Sequence, residues 1–129
     1  DLVAAPTQSD RRIADDALAQ LGIAHLAERI FTEISGGERQ MLMIGRATLG
    51  KPKVMLIDEP TEGLAPSIVT HLKYVFGELS KNAALVIVEQ NLPLVCSIAH
   101  KVYAMRDGRI VAELPGGESL KPAACEPYL

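Results

Sequence analysis

The sequence predicts an α/β fold in which helices lead into part of a layered, parallel sheet. Two short apolar runs carry this prediction, Val54 to Ile57 and Ala84 to Val88. Unbroken apolar runs are typical of parallel strands that are buried on both faces. A helical segment from Pro66 to Leu79 lies between them, as a parallel connection requires. With so few strands in 129 residues, we expect the sheet to be incomplete.

Helical patterns precede the first apolar run. Residues 10–29 are predicted as a helix that Ser9 caps, and Gly22 interrupts it so that Ala24 to Arg29 forms a second short helix. A third helix is predicted to begin after Ser35, because Ser35 and Glu38 have the spacing of a capping box. It should run to about Leu49 and end at Gly50, and its apolar residues cover more than one stripe, so we expect it to be well buried.

The segments after the second apolar run are shorter. Leu92 to Ala99 is predicted as a helix. Residues 102–105 and 110–114 are predicted as a hairpin, because an Asp-Gly pair at 107–108 lies between them. The tail from Pro115 is rich in glycine and proline and is expected to be a loop. The predicted units are residues 1–50, a helical part, residues 51–114, the sheet-bearing core, and residues 115–129, the tail.

Composition excludes several classes of function. A net charge of −3 offers no basic field, so no nucleic-acid partner is expected. The longest apolar runs, such as Ala83 to Val88, are too short to cross a bilayer, so no direct membrane insertion is expected. Cys96 and Cys125 lie far apart in sequence and suggest neither a disulfide nor a metal site, which favours a reducing, cytoplasmic compartment.

The first candidate site is the segment Ser35-Gly36-Gly37. Glycines allow a ligand to approach the backbone closely, and unpaired N–H groups at a helix start attract anions such as phosphate. The alternative is that Ser35 and Glu38 only cap the helix. Taken alone, the segment favours the cap, because such caps are common.

The second candidate site is Asp58-Glu59, directly after the first apolar run. The carboxyl ends of parallel strands are where open α/β sheets bind ligands. Asp58 would suit Mg²⁺, a hard cation that prefers oxygen ligands. Glu59 could orient or deprotonate a water for attack on phosphorus. An acidic turn after a core strand explains the same residues equally well.

Order and spacing decide between these readings. The combined pattern closely resembles the nucleotide-binding domain of ABC ATPases, and it covers the chain up to about Leu114. The resemblance implies a partial P-loop NTPase (RecA-like) layered sheet, preceded by a helical subdomain that ends in the signature helix. The segments that carry it are Ser35 to Gln40, Lys51 to Lys53, Asp58 to Thr61, Glu62 to Pro66, Val88 to Asn91, and Val102 to Ile110.

The resemblance implies roles for the matching residues. Ser35, Gly36, Gly37 and Glu38 correspond to the signature loop, which in the family touches the γ-phosphate of ATP on the opposite protomer of a head-to-tail dimer. Asp58 corresponds to the acid that binds Mg²⁺ through water, and Glu59 to the catalytic base. Residues 61–66 lie where the family's D-loop crosses the dimer interface, and Gln90 takes the position of the usual switch histidine. ATP and Mg²⁺ are the implied cofactors. The implied partners are transmembrane permease subunits, which would hold the chain at the cytoplasmic, inner face of the cell membrane.

Three departures from the family pattern bear on function. No G-x-x-x-x-G-K-[ST] segment occurs, so the loop that holds the β- and γ-phosphates is missing, and the chain alone is expected not to hydrolyse ATP. Gln90 cannot titrate near neutral pH as histidine does, although its amide can still donate a hydrogen bond. Ala65 stands where many members have Asp.

The subfamily resemblance is divided. From the signature onward, Glu62 to Pro66 and Val88 to Asn91 are similar to the ATPases of branched-chain amino acid and urea or amide importers. The segment Ala17 to Arg29 is more similar to siderophore or cobalamin importers. The sequence is compatible with a chimera and with a divergent natural member.

Three functions follow from this resemblance. The first is an importer ATPase subunit, or its C-terminal part, for amino acids or amides. The second is a non-catalytic split or engineered lobe that needs a P-loop-bearing partner. The third is the ATPase head of a DNA-repair or chromosome-maintenance protein, against which the acidic charge, the segment Glu62 to Pro66 and the Glu-Gln-Asn triplet at 89–91 argue.

Overall fold

A computed structural model describes residues 5–117 and 120–128. Helices and strands alternate through the middle of the chain, as an α/β fold requires. In chain order the elements are α1 (Gln8–Gln20), α2 (Gly36–Thr48), β1 (Val54–Asp58), α3 (Pro66–Leu79), β2 (Ala84–Val88), α4 (Leu92–Ile98), β3 (Lys101–Arg106), β4 (Arg109–Pro115) and α5 (Pro122–Cys125).

The strands form two separate pairs. β1 and β2 are parallel and in register from Val54 opposite Ala84 to Asp58 opposite Val88. β3 and β4 form an antiparallel hairpin. Its turn residues, Asp107 and Gly108, both have positive φ, which is the geometry that an Asp-Gly turn favours. The predicted strands, the connecting helix and the hairpin are therefore confirmed.

The expectation that β1 and β2 are buried on both faces is wrong for this chain. Their side chains alternate between a covered face, which includes Met55 and Ile57, and an exposed face. Leu56 on the exposed face is 80% accessible. Helices of the described chain cover one face of the pair, and no described element covers the other. The apolar residues on the open face of the sheet are Val54, Leu56, Val86 and Val88.

One hydrophobic cluster joins the helical part to the sheet-bearing part. Leu72, Val75 and Phe76 of α3 lie at its centre, and they pack with Met41 and Ile44 of α2. The His71 ring, also on α3, lies 2.6 Å through Nε2 from the carbonyl oxygen of Leu21. This shared core crosses the predicted boundary at residue 50. The domain boundaries at residues 50 and 114 stay a prediction.

The N-terminal helix differs from its prediction at both ends. Thr7, not Ser9, caps α1: its hydroxyl accepts a hydrogen bond from the Asp10 N–H, and the Asp10 carboxylate accepts from the Thr7 N–H at 2.8 Å. The Thr-x-x-Asp spacing of residues 7–10 is a capping-box pattern that would have indicated this N-cap. The helix ends at Gln20, and Gly22 follows with a φ of 68°, so the predicted interruption is confirmed. The expected second helix is a single 3₁₀ turn, Ala24–Leu26.

The signature helix α2 begins where the sequence predicts. Ser35 is its N-cap, and the helix continues to Thr48, one residue short of the predicted end. The left-handed residue after it is Lys51, not Gly50. The helix is not buried all round: Met41, Ile44 and Gly45 are buried, whereas Met43 is 45% exposed. Met43 lines an open groove between α2 and β1, which the described residues leave uncovered.

The tail is more ordered than its composition suggests. Leu120 is buried, and α5 packs against α4. This contact brings Cys125 beside Cys96, and burial together with the neighbouring thiol raises the pKa of Cys125. Short apolar segments supply enough burial to order a glycine- and proline-rich tail. Across residues 5–117 and 120–128, no helix is long and apolar enough to cross a membrane.

Candidate functional site

The parallel pair brings three of the predicted site residues to one edge. Asp58 ends β1, Glu59 follows it, and Gln90 follows the end of β2. Because parallel strands end at the same edge, residues 31 apart in sequence meet there. The Gln90 Nε2 donates a hydrogen bond of 2.7 Å to the Glu59 Oε1. The predicted base and the predicted switch residue are therefore in direct contact.

Glu59 has an unusual backbone conformation. Its φ is 41°, in the left-handed region that non-glycine residues adopt rarely and at a cost. Its N–H donates to the Val88 carbonyl oxygen at 2.9 Å, which continues the β1–β2 pairing past the end of the strand. The carbonyl of Glu59 in turn accepts from the Glu62 N–H. The turn is thus hydrogen-bonded on both sides, and it directs the carboxylate towards the end of β2.

A fourth residue at this edge, Glu89, was missed as a site residue. Its Oε2 accepts from the Thr61 hydroxyl at 2.7 Å and from the Thr61 N–H at 3.3 Å. Its Oε1 accepts from the N–H groups of Gln90 and Asn91, each at 2.9 Å. The sequence showed Glu89 only as part of a triplet, and its partner Thr61 is 28 residues away. No local spacing predicts a contact of this range.

Asp58 has an exposed side chain at the same edge. Within the described residues no cluster of three or more His, Cys, Asp or Glu side chains could hold a metal by itself. Proteins commonly bind Mg²⁺ through one or two carboxylates, with phosphate oxygens and water completing the shell. Asp58 therefore fits the predicted metal role when a phosphate is present, and the assignment stays a prediction.

The Ser35 segment forms a complete capping box. The Ser35 hydroxyl accepts from the Glu38 N–H at 3.2 Å, and the Glu38 Oε2 accepts from the Ser35 N–H at 2.8 Å. Hydrogen bonds from the Ser35 N–H and the Ser35 hydroxyl to the carboxylate hold the pKa of Glu38 below its ordinary value of 4.5. His25 lies 3.7 Å from the other carboxylate oxygen. The Ser35 hydroxyl is thus engaged within the capping box, and a phosphate oxygen would have to compete with the Glu38 carboxylate for its proton.

The two glycines after Ser35 differ in their surroundings. A Cβ on Gly36 would meet nothing within 4 Å, so a ligand can approach the backbone there. A Cβ on Gly37 would lie 3.1 Å from the Ile68 side chain of α3. Gly36 is therefore the open position, whereas Gly37 allows α2 to pack closely against α3.

Within the described residues, no hydrogen bond or ion pair joins the segment 35–38 to Asp58, Glu59 or Gln90. The structure thus brings Glu59 and Gln90, the predicted catalytic residues, together and keeps the predicted signature residues in a separate group. The family resemblance implies this separation, because the signature loop acts on the nucleotide of the opposite protomer. The nucleotide-binding roles of the signature residues, Glu38 included, stay predictions.

A near match to the phosphate-binding pattern occurs between α2 and β1. Gly45, Gly50 and Lys51 have the G-x-x-x-x-G-K spacing, but Pro52 stands where Ser or Thr is required. Gly45 lies inside α2, and a Cβ there would be 2.6 Å from the Leu21 side chain. A phosphate-binding loop follows a strand and begins a helix, whereas this segment ends one. These residues therefore do not form a phosphate-binding loop.

Comparison with known proteins supports the resemblance. A protein-family profile described as ABC transporter matches residues 3–62. The high-affinity branched-chain amino acid transport ATP-binding protein BraG of Pseudomonas aeruginosa is 41% identical over 74% of this chain. The arginine transport ATP-binding protein ArgV of Corynebacterium glutamicum is 34% identical over 82% of it. The hemin import ATP-binding protein HmuV of Gloeobacter violaceus is 34% identical over 81% of it.

Solved structures give the same result. The ATP-binding cassette MJ1267 superimposes with a TM-score of 0.81 at 30% identity, over 90% of this chain and 46% of its own. A putative metal-chelate type ABC transporter, in an inward-facing conformation, gives 0.83 at 28% identity, over 99% of this chain and 52% of its own. The fold is therefore of the P-loop NTPase class. Within that class, the chain matches part of the ATP-binding domain of ABC transporters. It spans 42% of the length of BraG and of ArgV.

Proposed function

We propose that this chain forms the rear part of the ATP-hydrolysing subunit of an ABC importer for amino acids or amides. The observation that carries the proposal is the contact between Glu59 and Gln90 at the carboxyl edge of β1 and β2. The solute class is supported by relatives that are named as transporters of branched-chain amino acids and arginine.

The hydrolytic residues suit attack of water on a phosphate. Among the described residues, Gln90 is the hydrogen-bond partner of the Glu59 side chain. It leaves the second carboxylate oxygen able to accept from a water, as a general base must. Gln90 stays uncharged and orients the carboxylate through its amide. Asp58 would bind Mg²⁺ beside the ATP phosphates, where the ion would neutralise charge that develops during transfer.

The signature residues would act on a second protomer. The N-terminus of α2 offers unpaired N–H groups and an open backbone at Gly36 to an anion. In a head-to-tail dimer this surface would meet the γ-phosphate of ATP that the partner protomer holds. Permease subunits would anchor the dimer at the cytoplasmic face of the membrane.

The open face of the sheet favours a related second function, that of a split lobe which docks with a phosphate-binding half. Four apolar side chains of β1 and β2 lie exposed together, and the groove beside Met43 is continuous with them. Exposed apolar surface of this kind marks an interaction site. On this proposal the chain alone binds ATP weakly and becomes an ATPase when the other half covers the sheet.

Both proposed functions can be tested by mixing this chain with a phosphate-binding half. The chain alone, titrated with a fluorescent ATP analogue, should show no micromolar affinity. Added to a phosphate-binding half taken from a family member, whether fused or as a separate polypeptide, it should restore Mg²⁺-dependent ATP hydrolysis. A complex that forms and binds ATP but never hydrolyses it would refute the importer ATPase proposal. Micromolar ATP binding by the chain alone would refute its dependence on the other half.

A further inference from the structure

The Glu89 carboxylate connects the two loops that carry the proposed hydrolytic residues. One oxygen accepts from both the hydroxyl and the N–H of Thr61, in the turn after β1. The other accepts from the N–H groups of Gln90 and Asn91, at the start of the loop after β2. Thr61 is 7% exposed, so the Thr61 end of this connection is buried.

These contacts close a ring with the proposed base. Thr61 lies two residues after Glu59, and Gln90 directly follows Glu89. The side chain of Gln90 reaches back to the Glu59 carboxylate at 2.7 Å. The backbone of Glu59 is held to β2 through the Val88 carbonyl. Glu89 therefore holds the backbone of Gln90, and the Gln90 side chain in turn holds the Glu59 carboxylate.

Glu89 is unsuited to act as a base itself. Four donors already occupy its two oxygens, so a water would have to displace one of them. The Glu59 carboxylate in contrast has one hydrogen-bond partner among the described residues, and the backbone φ of 41° at Glu59 needs surrounding contacts to hold it. A carboxylate that accepts several N–H and O–H bonds is a strong link between segments, because such charge-assisted hydrogen bonds are stronger than neutral ones.

We propose that Glu89 is a positioning residue that fixes the Gln90 amide against Glu59 and so orients the base for attack on phosphate. This inference rests on the proposed ATPase function and deepens it. Four protein donors occupy the Glu89 carboxylate, so it is not available to bind the nucleotide. Its removal should therefore lower kcat and leave the KM for ATP unchanged.

The test uses the ATPase assembled from this chain and a phosphate-binding half. Glu89→Ala should lower kcat about tenfold with the KM for ATP within about twofold, because transition-state alignment is lost and ground-state binding is kept. In a Gln90→Ala background the same substitution should change kcat by less than about twofold, since residues that act through one another are not additive. Glu78→Gln is the matched control and should change neither constant. It alters an exposed carboxylate of α3 that is paired with Lys81.

A milder variant covers the case in which Glu89→Ala fails to fold. Thr61→Val keeps the shape of the side chain and the backbone N–H, but removes the hydroxyl donor to Glu89. It should lower kcat in the Gln90 protein and have little effect in Gln90→Ala. As a structural comparison, Asn91→Ala removes the cap that Asn91 supplies to α4 and should lower thermal stability by an effect additive with Gln90→Ala.

The outcomes separate the two proposals. No ATP turnover in the unsubstituted assembly would overturn the proposed function and this inference with it. Normal turnover, with Glu89→Ala and Thr61→Val both unchanged in kcat, would overturn this inference alone. Equal losses of kcat in the Gln90 and Gln90→Ala backgrounds would also overturn it, because they would show a general structural role. A loss confined to the Gln90 background supports it.

Discussion

At the scale of single residues, Glu59 is at the centre of the proposed chemistry. Its carboxylate contacts Gln90, and its backbone is in a left-handed conformation between two hydrogen-bonded neighbours. Strained backbone in a protein persists where the surroundings determine it strongly, and it is frequent at functional sites. The observed conformation therefore agrees with the role that the resemblance gave to Glu59.

Replacing Glu59 by Gln tests this role. The amide keeps the size of the side chain and can still accept from Gln90, but it cannot take a proton from water. In the assembled ATPase, Glu59→Gln should lower turnover by about 100-fold or more, the usual contribution of a general base, and leave ATP bound. Filter retention of labelled ATP alongside phosphate release measures both. Undiminished phosphate release would remove Glu59 from the role of base.

The two signature glycines should respond differently to alanine. Gly37→Ala places a Cβ 3.1 Å from Ile68 and should lower the free energy of unfolding by about 1 kcal/mol, the lower end of overpacking costs. Gly36→Ala faces open space and should change stability by less than about 0.5 kcal/mol. Denaturant unfolding of both variants measures this difference.

The control for the two glycine variants is a substitution of Ile68, the residue that a Cβ on Gly37 would contact. If Ile68 causes the clash, Gly37→Ala and Ile68→Ala together should cost less than the sum of the single substitutions. In the assembled ATPase, Gly36→Ala should lower turnover despite its normal stability, because its Cβ obstructs the path to the backbone. Equal stability of the two single alanine variants would contradict the separate assignments.

At the scale of elements, the helix starts explain much of the local order. α1 and α2 both begin with a capping box, in which a hydroxyl residue and an acid three residues later bond each other's backbone. The α2 box holds Ser35 in extended geometry at the helix start, and Gly37 then packs against α3. The cap thus fixes where the open backbone at Gly36 lies.

The α2 capping box should make stability depend on pH in the acid range. Hydrogen bonds from the backbone and side chain of Ser35 lower the pKa of Glu38 below 4.5 in the folded chain. A lowered folded-state pKa favours folding when the group is ionised. The contribution should be complete above the ordinary pKa and be lost as the pH falls through the lowered value.

Denaturant unfolding at a series of pH values checks this expectation. The difference in free energy of unfolding between the unsubstituted chain and Glu38→Gln should be present near neutral pH and shrink as the pH falls below 4.5. Asp10→Asn should give a similar trend at lower pH, because hydrogen bonds from Thr7 lower the pKa of Asp10 below 3.8. A difference for Glu38→Gln that is constant with pH would contradict the assignment.

Elements with local signals were predictable from sequence. Ser35 and Glu38 gave the start of α2, and the Asp107-Gly108 pair gave the hairpin turn, because these contacts lie within three or four residues. The cap of α1 was misplaced by two residues because Thr7 and Ser9 are both capable of capping. The ordered tail was missed because its burial against α4 depends on a distant segment.

At the scale of the whole molecule, contacts between distant segments build the site and were only partly predictable. The pairing of β1 with β2 followed from two apolar runs, and it explains why Asp58, Glu59 and Gln90 share an edge. The hydrogen bonds of Glu89 could not be predicted from the sequence, because a single acidic residue has no periodic pattern and its partner Thr61 is 28 residues away. Burial on both faces of the strands was predicted from their unbroken apolar runs and was wrong, because such a run shows which residues are apolar and not which segment covers them.

The open sheet face gives a prediction about assembly. Leu56→Lys should change the free energy of unfolding of the chain by less than about 0.5 kcal/mol, because Leu56 is already 80% exposed. The same substitution should weaken association with the phosphate-binding half by about tenfold or more, since it would bury an unpaired ammonium group. Calorimetric titration with Ile110→Lys, an exposed apolar position on the hairpin, as control measures the difference. Undiminished association would show that this face is not the docking surface.

The same exposed face has a kinetic consequence. If the proposed phosphate-binding half is part of the same polypeptide, its effective concentration at the sheet is about millimolar for a short linker, and docking is unimolecular. If it is a separate chain, docking is bimolecular, and Leu56 and its neighbours wait uncovered for a time that depends on the partner's concentration. During that interval other chains compete for the same apolar surface. The ratio of the two halves in the cell would then set both the amount of assembled ATPase and the amount lost to aggregation.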